Sequence, residues 1–514
     1  MWTTRQILKY SIIGGGLVGT AFSYKANMYN FEAIGLLRFG RAAATALAIG
    51  LHYRKQLYQT NLDPQSLEYF NLRSRTHKEA ALKLLELCCI NKGVFIKVGQ
   101  HIGSLEYLLP IEYVETMKIL HSHAPQSPLK DIYSVIKEDL HKDPSELFIE
   151  FDSEPLGTAS LAQVHRAKLK DGRVVAVKVQ HPFVRGNSIV DMKTMEVLIN
   201  IMAWVFPEFK FKWLVEESKK NIPRELDFSE EAKNTMKVKK MFQHFSWLKI
   251  PDILSELSTK RVLTMEYVDG GQVNDINYMK KNKINPFDVS DKLGLLYSEM
   301  IFRNGFVHSD PHPGNILVKK EEDGKTYIVL LDHGLYANIS DKVRTEYSGL
   351  WLSILDKDMK GMKKHGEALG VGSLYDLFAC MVAGRSWTAI QSGITKSKHT
   401  VGEKEQFQHD IPLVLAKITE TLHYVNREML LILKTNDLLR GIEYTLQTDN
   451  RMSSFLVMSK SCVRCVYEQK LKDCSTKLDK VKISIIETWE LLKISVYYTY
   501  LSLKTFSWRQ LLLL

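Results

Sequence analysis

Apolar and polar residues alternate along two short runs, Gln163 to Leu169 and Arg173 to Val179, separated by Lys170-Asp171-Gly172. A period of two sends successive side chains to opposite faces, and an Asp-Gly pair tolerates the positive φ of a tight reversal, so the pattern predicts a β-hairpin. Further along, Leu295 to Phe302 keeps a helical spacing, while Ile316 to Val318 and Tyr327 to Leu331 are strand-like runs with Asp323-Gly324 turning between them. Thr76 to Leu109, Pro110 to His123 and Leu129 to Leu140 predict helices, with Pro125 and Pro128 marking a break before the last. A strand at Arg261 to Met265 runs into Glu266-Tyr267-Val268, and the chain beyond about Arg385 is helical apart from a polar stretch at Thr395 to Gln408. Strands grouped in the middle with helices on either side predict an α+β protein.

Lysine is badly placed in the middle of a half-buried strand unless its ammonium meets anions. Lys178 stands there, in Val175-Ala176-Val177-Lys178, and kinase folds use such a lysine to hold the α and β phosphates of a nucleotide. Downstream, His308-Ser309-Asp310-Pro311-His312-Pro313-Gly314-Asn315 is followed by Asp332-His333-Gly334. An Asp and an Asn on one loop, then an Asp before a Gly, suit phosphoryl transfer. Asp310 would accept or orient the proton of an attacking hydroxyl, and Asn315 and Asp332 would hold magnesium. Each motif alone would read as a solvated loop or an edge-strand lysine; their order predicts a two-lobed protein-kinase-like fold that uses ATP and Mg2+. The usual G-x-G-x-x-G is absent. In its place runs Leu156-Gly157-Thr158-Ala159-Ser160-Leu161-Ala162-Gln163-Val164, where Thr158 and Ala159 restrict positive φ and predict a stiffer phosphate loop. Glu266 and Val268 are the expected hinge, meeting a purine through backbone groups.

These residues resemble the UbiB/AarF family of atypical kinases, over roughly Leu82 to Leu355. Lys97-Val98-Gly99-Gln100 resembles its K-x-G-Q element and Glu225-Leu226-Asp227 its E-x-D element. The resemblance implies that Lys178 pairs with Glu231 and Lys97 with Glu225 and Asp227. It also implies that Lys97, Gln100, Glu225 and Asp227 belong to a helical extension covering the cleft where a protein substrate would otherwise dock. A small or membrane-embedded acceptor, or ATP hydrolysis coupled to such a ligand, is implied instead. Within the family the chain is most similar to the mitochondrial AarF-domain-containing kinase subgroup, and less so to the branch serving coenzyme Q synthesis. Two departures bear on nucleotide preference: the family's alanine-rich loop reads Gly157-Thr158-Ala159-Ser160 here, and the third motif ends His333-Gly334 where many relatives have Phe-Gly.

The expected organisation is a leader at 1–60, a helical extension at 61–145, a small lobe at 146–268, a large lobe at 269–395 and a helical C-terminal region at 396–514. Lys and Arg exceed Asp and Glu, 69 to 58. Without a nucleic-acid module, that excess points to an anionic membrane lipid or a small lipid-like ligand, with mitochondrial proteins as further partners and no nucleic acid. The first thirty-one residues hold no acid but include Arg5, Lys9 and Lys25, which reads as a mitochondrial import signal, with inner-membrane association expected. A secretory signal at Ser11 to Ser23 is the alternative. Ala33 to Leu51 is expected to be a membrane-associated or weakly spanning helix, Val197 to Phe206 a core helix with an interface contact through Trp204 and Phe206 as the alternative, and Ile483 to Leu514 either an interfacial helix or one packed on the large lobe. Six scattered cysteines suggest reduced thiols rather than a disulfide framework or a zinc site. Two functions fit: an active magnesium-dependent ATPase or phosphotransferase in mitochondrial membrane, lipid or quinone homeostasis, and a catalytically weak nucleotide-binding scaffold.

Overall fold

The alternating hairpin forms the middle of a five-stranded antiparallel sheet. In the computed structural model its strands are β1 (Phe148–Phe151), β2 (Gly157–Thr158), β3 (Ala162–Leu169), β4 (Val174–Gln180) and β6 (Val262–Glu266), in the order β1-β3-β4-β6 with β2 also on β3. The structure describes residues 35–63, 66–103, 109–121, 126–205, 212–392, 427–448 and 453–505. It divides into two units, Met1–Met236 with Asp252–Tyr267, and Lys237–Pro251 with Val268–Leu514. The expected leader signal, the polar stretch at Thr395 to Gln408 and the chain end past Thr505 lie outside the described residues.

In the first unit the period-two pattern decides what each face of the sheet meets. Val175, Val177 and Val179 pack with Ile132, Val135 and Ile136, which come from the helix Leu129–Leu140. The other face, carrying Ala176 and Lys178, packs with Phe228 and Ala232. Preceding the sheet are α1 (Gly35–Leu57), α2 (Leu67–Asn91), α3 (Val94–Gly103), α4 (Ile111–Met117) and α5 (Leu129–Leu140). The single helix expected over Thr76 to Leu109 is thus two, because Lys92 and Gly93 take φ of 55° and 54° and the Lys92 N–H turns back to the Cys88 carbonyl at 2.9 Å. Likewise Pro110 to His123 gives α4 followed by a 3₁₀ turn, Lys118–His121. After β4 come α6 (Val184–Val205), α7 (Lys212–Glu225) and α8 (Phe228–Met241).

The spanning option for Ala33 to Leu51 is corrected here. Among the described residues no helix is long and apolar enough to cross a membrane. α1 instead packs on α2 and α6 and buries Arg38, whose Nε and Nη2 donate to the Asp191 carboxylate at 2.7 and 2.5 Å, so its inner face is charged and cannot serve as a span. Val197 to Trp204 is core on one face only: Leu198 and Ile199 pack with Met192 and Met195 in the core cluster, while Val197, Ile201 and Trp204 stay outside, the last 83% exposed; Phe206 lies outside the described residues.

The second unit holds a four-stranded sheet, in the order β5 (Leu248–Lys249), β10 (Thr326–Leu330), β9 (Ile316–Lys320) and β7 (Gly271–Gln272), and a separate pair of β8 (Phe306–His308) with β11 (Tyr336–Asn338). α9 (Pro286–Ser298) starts at an Asn285 cap with proline in its first turn and ends in a π turn, Glu299–Asn304. Its helices continue as α10 (Asp341–Asp356), α11 (Met359–Ala368), α12 (Tyr375–Ala383), α13 (Arg427–Leu446), α14 (Ser453–Asp473) and α15 (Lys477–Thr505). Tyr297, Phe302, Tyr347 and Phe378 are the largest of its fully buried side chains among the described residues.

Candidate functional site

In the first unit the strand lysine finds its anion. Lys178 Nζ donates to both Glu231 carboxylate oxygens, at 2.8 and 2.9 Å, with the Phe228 ring centroid 5.2 Å from the ammonium. Both side chains are largely withdrawn from water, 13% and 4% exposed. Because Phe228 and Glu231 sit one turn apart on α8, one helix supplies the ring and the carboxylate together. The Thr235 hydroxyl donates to the Glu231 carbonyl at 2.8 Å and steadies that turn.

Of the family-implied pairs in the extension, one forms as expected and one does not. Lys97 meets Glu225 at 2.6 Å. Asp227 instead starts α8, accepting from the Ser229 N–H at 3.1 Å and from its hydroxyl, with Lys260 4.0 Å away. An Asp followed two residues later by a free N–H is a better cap than a second partner for a distant lysine. The remaining letters of the K-x-G-Q element are explained by packing. A Cβ on Gly99 would lie 2.4 Å from Leu120 Cδ1, and Gln100 Nε2 donates to the Leu120 carbonyl at 3.0 Å.

The phosphate-loop candidate closes on itself. Leu156 is exposed and its N–H donates to the Val164 carbonyl; Gly157 and Thr158 pair with Val164 and Gln163; the Ala159 N–H donates to the Ala162 carbonyl at 2.8 Å. Ser160 and Leu161 are buried. Gln163 turns inward: its amide accepts from the Ser127 N–H at 2.9 Å and approaches His165 Nε2 at 2.8 Å. At the expected hinge Glu266 ends β6 with its N–H given to the Asp252 carbonyl at 2.8 Å, and Val268 opens the longer segment of the second unit.

In the second unit β8 delivers the catalytic-loop candidate, and the loop's own backbone shapes it. The Asn315 side-chain amide donates to the Asp310 carbonyl at 3.1 Å, while the Asn315 carbonyl accepts from the Leu331 N–H at 3.0 Å, one residue before Asp332. His308 ties the two carboxylate-bearing segments together. Its Nε2 lies 2.5 Å from the Asp332 carbonyl and must donate, so Nδ1 is the acceptor for the Asp310 N–H at 3.3 Å. The Asp332 carboxylate accepts from the Gly334 N–H at 2.8 Å. His333, standing where many relatives carry Phe, is buried and stacked on Tyr336. Its Nε2 donates to the Leu330 carbonyl at 3.1 Å and its Nδ1 accepts from the Tyr336 hydroxyl at 2.9 Å, so the substitution leaves no polar atom stranded. Sequence reasoning missed one member, Lys434 on α13, whose Nζ is 3.3 Å from Asp310 Oδ1. All six cysteines are free thiols.

Burial holds the His308 imidazole below its ordinary pKa, overriding the pull of Asp332 and Asp310, and His312 is lowered by burial in the same way. The unfolded chain takes up these protons near pH 6.5 while the folded chain does not, so stability is full above that pH and falls below it. Each such proton steepens the fall by about 1.4 kcal/mol per pH unit. Urea unfolding is expected to show this loss between pH 7 and pH 5, with a shallower slope in His308→Gln; equal slopes would exclude His308 as a source.

Comparison with known proteins places this arrangement. Residues 119–366 match the family model described as the ABC1 atypical kinase-like domain. The chain is 54% identical to AarF domain-containing kinase 1 of Drosophila melanogaster, over 99% of each chain, and 49% identical to AarF domain-containing protein kinase 1 of Gallus gallus, over 97% of this chain and 96% of that one. A more distant relative, the ABC1 family protein MCP2 homolog of Schizosaccharomyces pombe, is 36% identical over 77% of this chain and 73% of its own. The fold is accordingly α+β and kinase-like, two-lobed, with a helical extension before the lobes and a helical region after them. The chain belongs to the ABC1/AarF family of atypical kinases.

Proposed function

We propose that the protein is a magnesium-dependent ATP-using enzyme, an ATPase or phosphotransferase, acting on a small or lipid-like acceptor at a mitochondrial membrane. The Lys178–Glu231 ion pair carries this reading: a lysine inside a sheet, bonded to both oxygens of one carboxylate, is the arrangement that kinases require for anchoring nucleotide phosphates. In the step itself the acceptor hydroxyl oxygen, or water in the ATPase case, bonds to the γ-phosphorus. The bond to the β,γ-bridging oxygen breaks, its electron pair leaves with ADP, and the hydroxyl proton passes to Asp310. Lys178 holds the α and β phosphates. Asn315 and Asp332 suit magnesium, which binds through one or two protein oxygens together with phosphates and water rather than in a protein cage; bound there it neutralises phosphate charge. Among the described residues no three His, Cys, Asp or Glu gather into such a cage.

One observation favours the scaffold reading: the Ala159 N–H, which a phosphate loop would offer to a nucleotide, is already given to the Ala162 carbonyl. The deciding measurement is magnesium-dependent phosphate release by the full chain with and without anionic vesicles. Turnover that rises with lipid supports the enzyme; ATP binding without turnover supports the scaffold.

The membrane part of the proposal draws on α15. Leu478, Val481, Ile485, Trp489, Leu492 and Val496 recur every three or four residues as one exposed apolar stripe, with Lys477, Lys482 and Lys493 beside it. An apolar stripe rimmed by lysines matches an anionic bilayer surface, each lysine near it contributing about 1 kcal/mol. Ile485→Glu with Trp489→Glu is expected to weaken binding to cardiolipin-containing vesicles by about tenfold or more, read by co-sedimentation. Undiminished binding would remove α15 from the membrane surface.

A further inference from the structure

Lys434 lies 124 positions after Asp310 in the chain and beyond the stretch that matches the family model, yet its ammonium meets the catalytic-loop carboxylate. The contact is sheltered, with the lysine side chain 14% exposed and the aspartate 31%. α13 is also firmly seated. Ser340 donates to Glu428 at 2.8 Å, Asn436 to the Tyr347 hydroxyl at 2.7 Å, Arg440 to the Met381 carbonyl at 3.2 Å, and Ser290 to Glu443 at 3.2 Å, so Lys434 leaves a helix fixed along its length.

The loop needs a cation that it does not contain. From His308 to Asn315 there is no lysine or arginine. Lys434, on α13, brings positive charge to Asp310.

We infer that Lys434 is a further catalytic residue, pairing with Asp310 in the resting protein and contacting the γ-phosphoryl oxygens during transfer. The inference rests on the ATP-using reading above. An acceptor hydroxyl whose proton goes to Asp310 must lie within hydrogen-bond reach of that carboxylate, and the γ-phosphorus bonds to the same hydroxyl oxygen. A cation 3.3 Å from Asp310 is then one side-chain swing from the phosphoryl oxygens, over which the transition-state charge spreads. Proton transfer also discharges the Asp310 carboxylate, which releases the ammonium from its resting partner to the equatorial phosphoryl oxygens, so its contact with them is stronger in the transition state than in the ground state.

The test uses the full chain as wild type, Lys434→Met and Lys434→Arg. Measured are turnover and the affinity for Mg·ADP alone and with tetrafluoroaluminate, a planar mimic of the phosphoryl group. Lys434→Met is expected to lower kcat by about 10²- to 10³-fold while Mg·ADP affinity stays within about twofold, and to lose the extra affinity that fluoroaluminate gives the wild type. Lys434→Arg, which keeps the charge and covers the case in which the methionine variant folds poorly, is expected to recover part of both. An unchanged kcat in Lys434→Met overturns the inference, and a raised one overturns it in favour of a brake on Asp310. If the wild type itself turns over no ATP, the ATP-using reading fails on its own. Lys434 is then judged by fluoroaluminate, and equal Mg·ADP–fluoroaluminate affinity in wild type and Lys434→Met overturns its role.

Discussion

Asp310→Asn is expected to lower magnesium-dependent ATP turnover by about 10²- to 10⁴-fold while Mg·ATP affinity changes by no more than about threefold. The amide is nearly the same size as the carboxylate but cannot take up the acceptor's proton, so the loss falls on kcat. Shape is preserved because the loop is held by main-chain atoms of residue 310. Its N–H donates to His308 Nδ1 and its carbonyl accepts from the Asn315 amide and the His312 N–H. Lys434, which meets the Asp310 carboxylate, keeps an oxygen to donate to. Steady-state phosphate release beside calorimetric titration of Mg·ATP separates the outcomes. Unreduced turnover would move the proton elsewhere, whereas loss of binding in parallel would give Asp310 a structural role instead.

Local order was the legible part of this chain. The alternation around Asp171-Gly172 marked β3 and β4 to within a residue, and the short apolar runs Ile316 to Val318 and Tyr327 to Leu331 marked β9 and β10, because such runs with a turn pair between them depend on neighbours alone. What was missed depends on partners far along the chain or on backbone conformation. The stop between α2 and α3 is made by Lys92 in a positive-φ conformation that any sequence rule gives to glycine or asparagine first. Gln163 reads as a loop-to-strand residue near phosphate, and its inward bonds go to His165 on the same strand and to Ser127, which the segment leading into α5 brings there from far along the chain. Within the apolar run from Val197 the outward turn of Val197 and Ile201 was not legible, since apolar residues all round a segment do not say which of them find a neighbour. Lys434 carried no signal at all: one lysine in a helix is ordinarily a solvated side chain, and only the seating of α13 turns it toward Asp310.

Glu231→Leu is expected to destabilise the first unit by about 3–5 kcal/mol, the range found when one partner of a buried ion pair is removed. The ammonium of Lys178 would remain on a strand face shared with Ala176 and packed against Phe228 and Ala232, where water cannot replace two bonds of 2.8 and 2.9 Å. The Phe228 ring, 5.2 Å away, offers the stranded cation a weaker partner, about 1–2 kcal/mol. Lys178→Met together with Glu231→Leu is expected to recover most of that loss, because apolar side chains of similar volume remove the unpaired charge as well as the pair. Such a recovery distinguishes the two uses of the pair. If the pair existed for stability, the double variant would stay as weak as the single one; if it exists to present an ammonium to phosphates, the double variant folds and binds no ATP. Urea unfolding of the four-membered cycle, with Mg·ATP titration of each member, reads both quantities, and a double variant that is stable and still binds ATP would show that the nucleotide is held elsewhere.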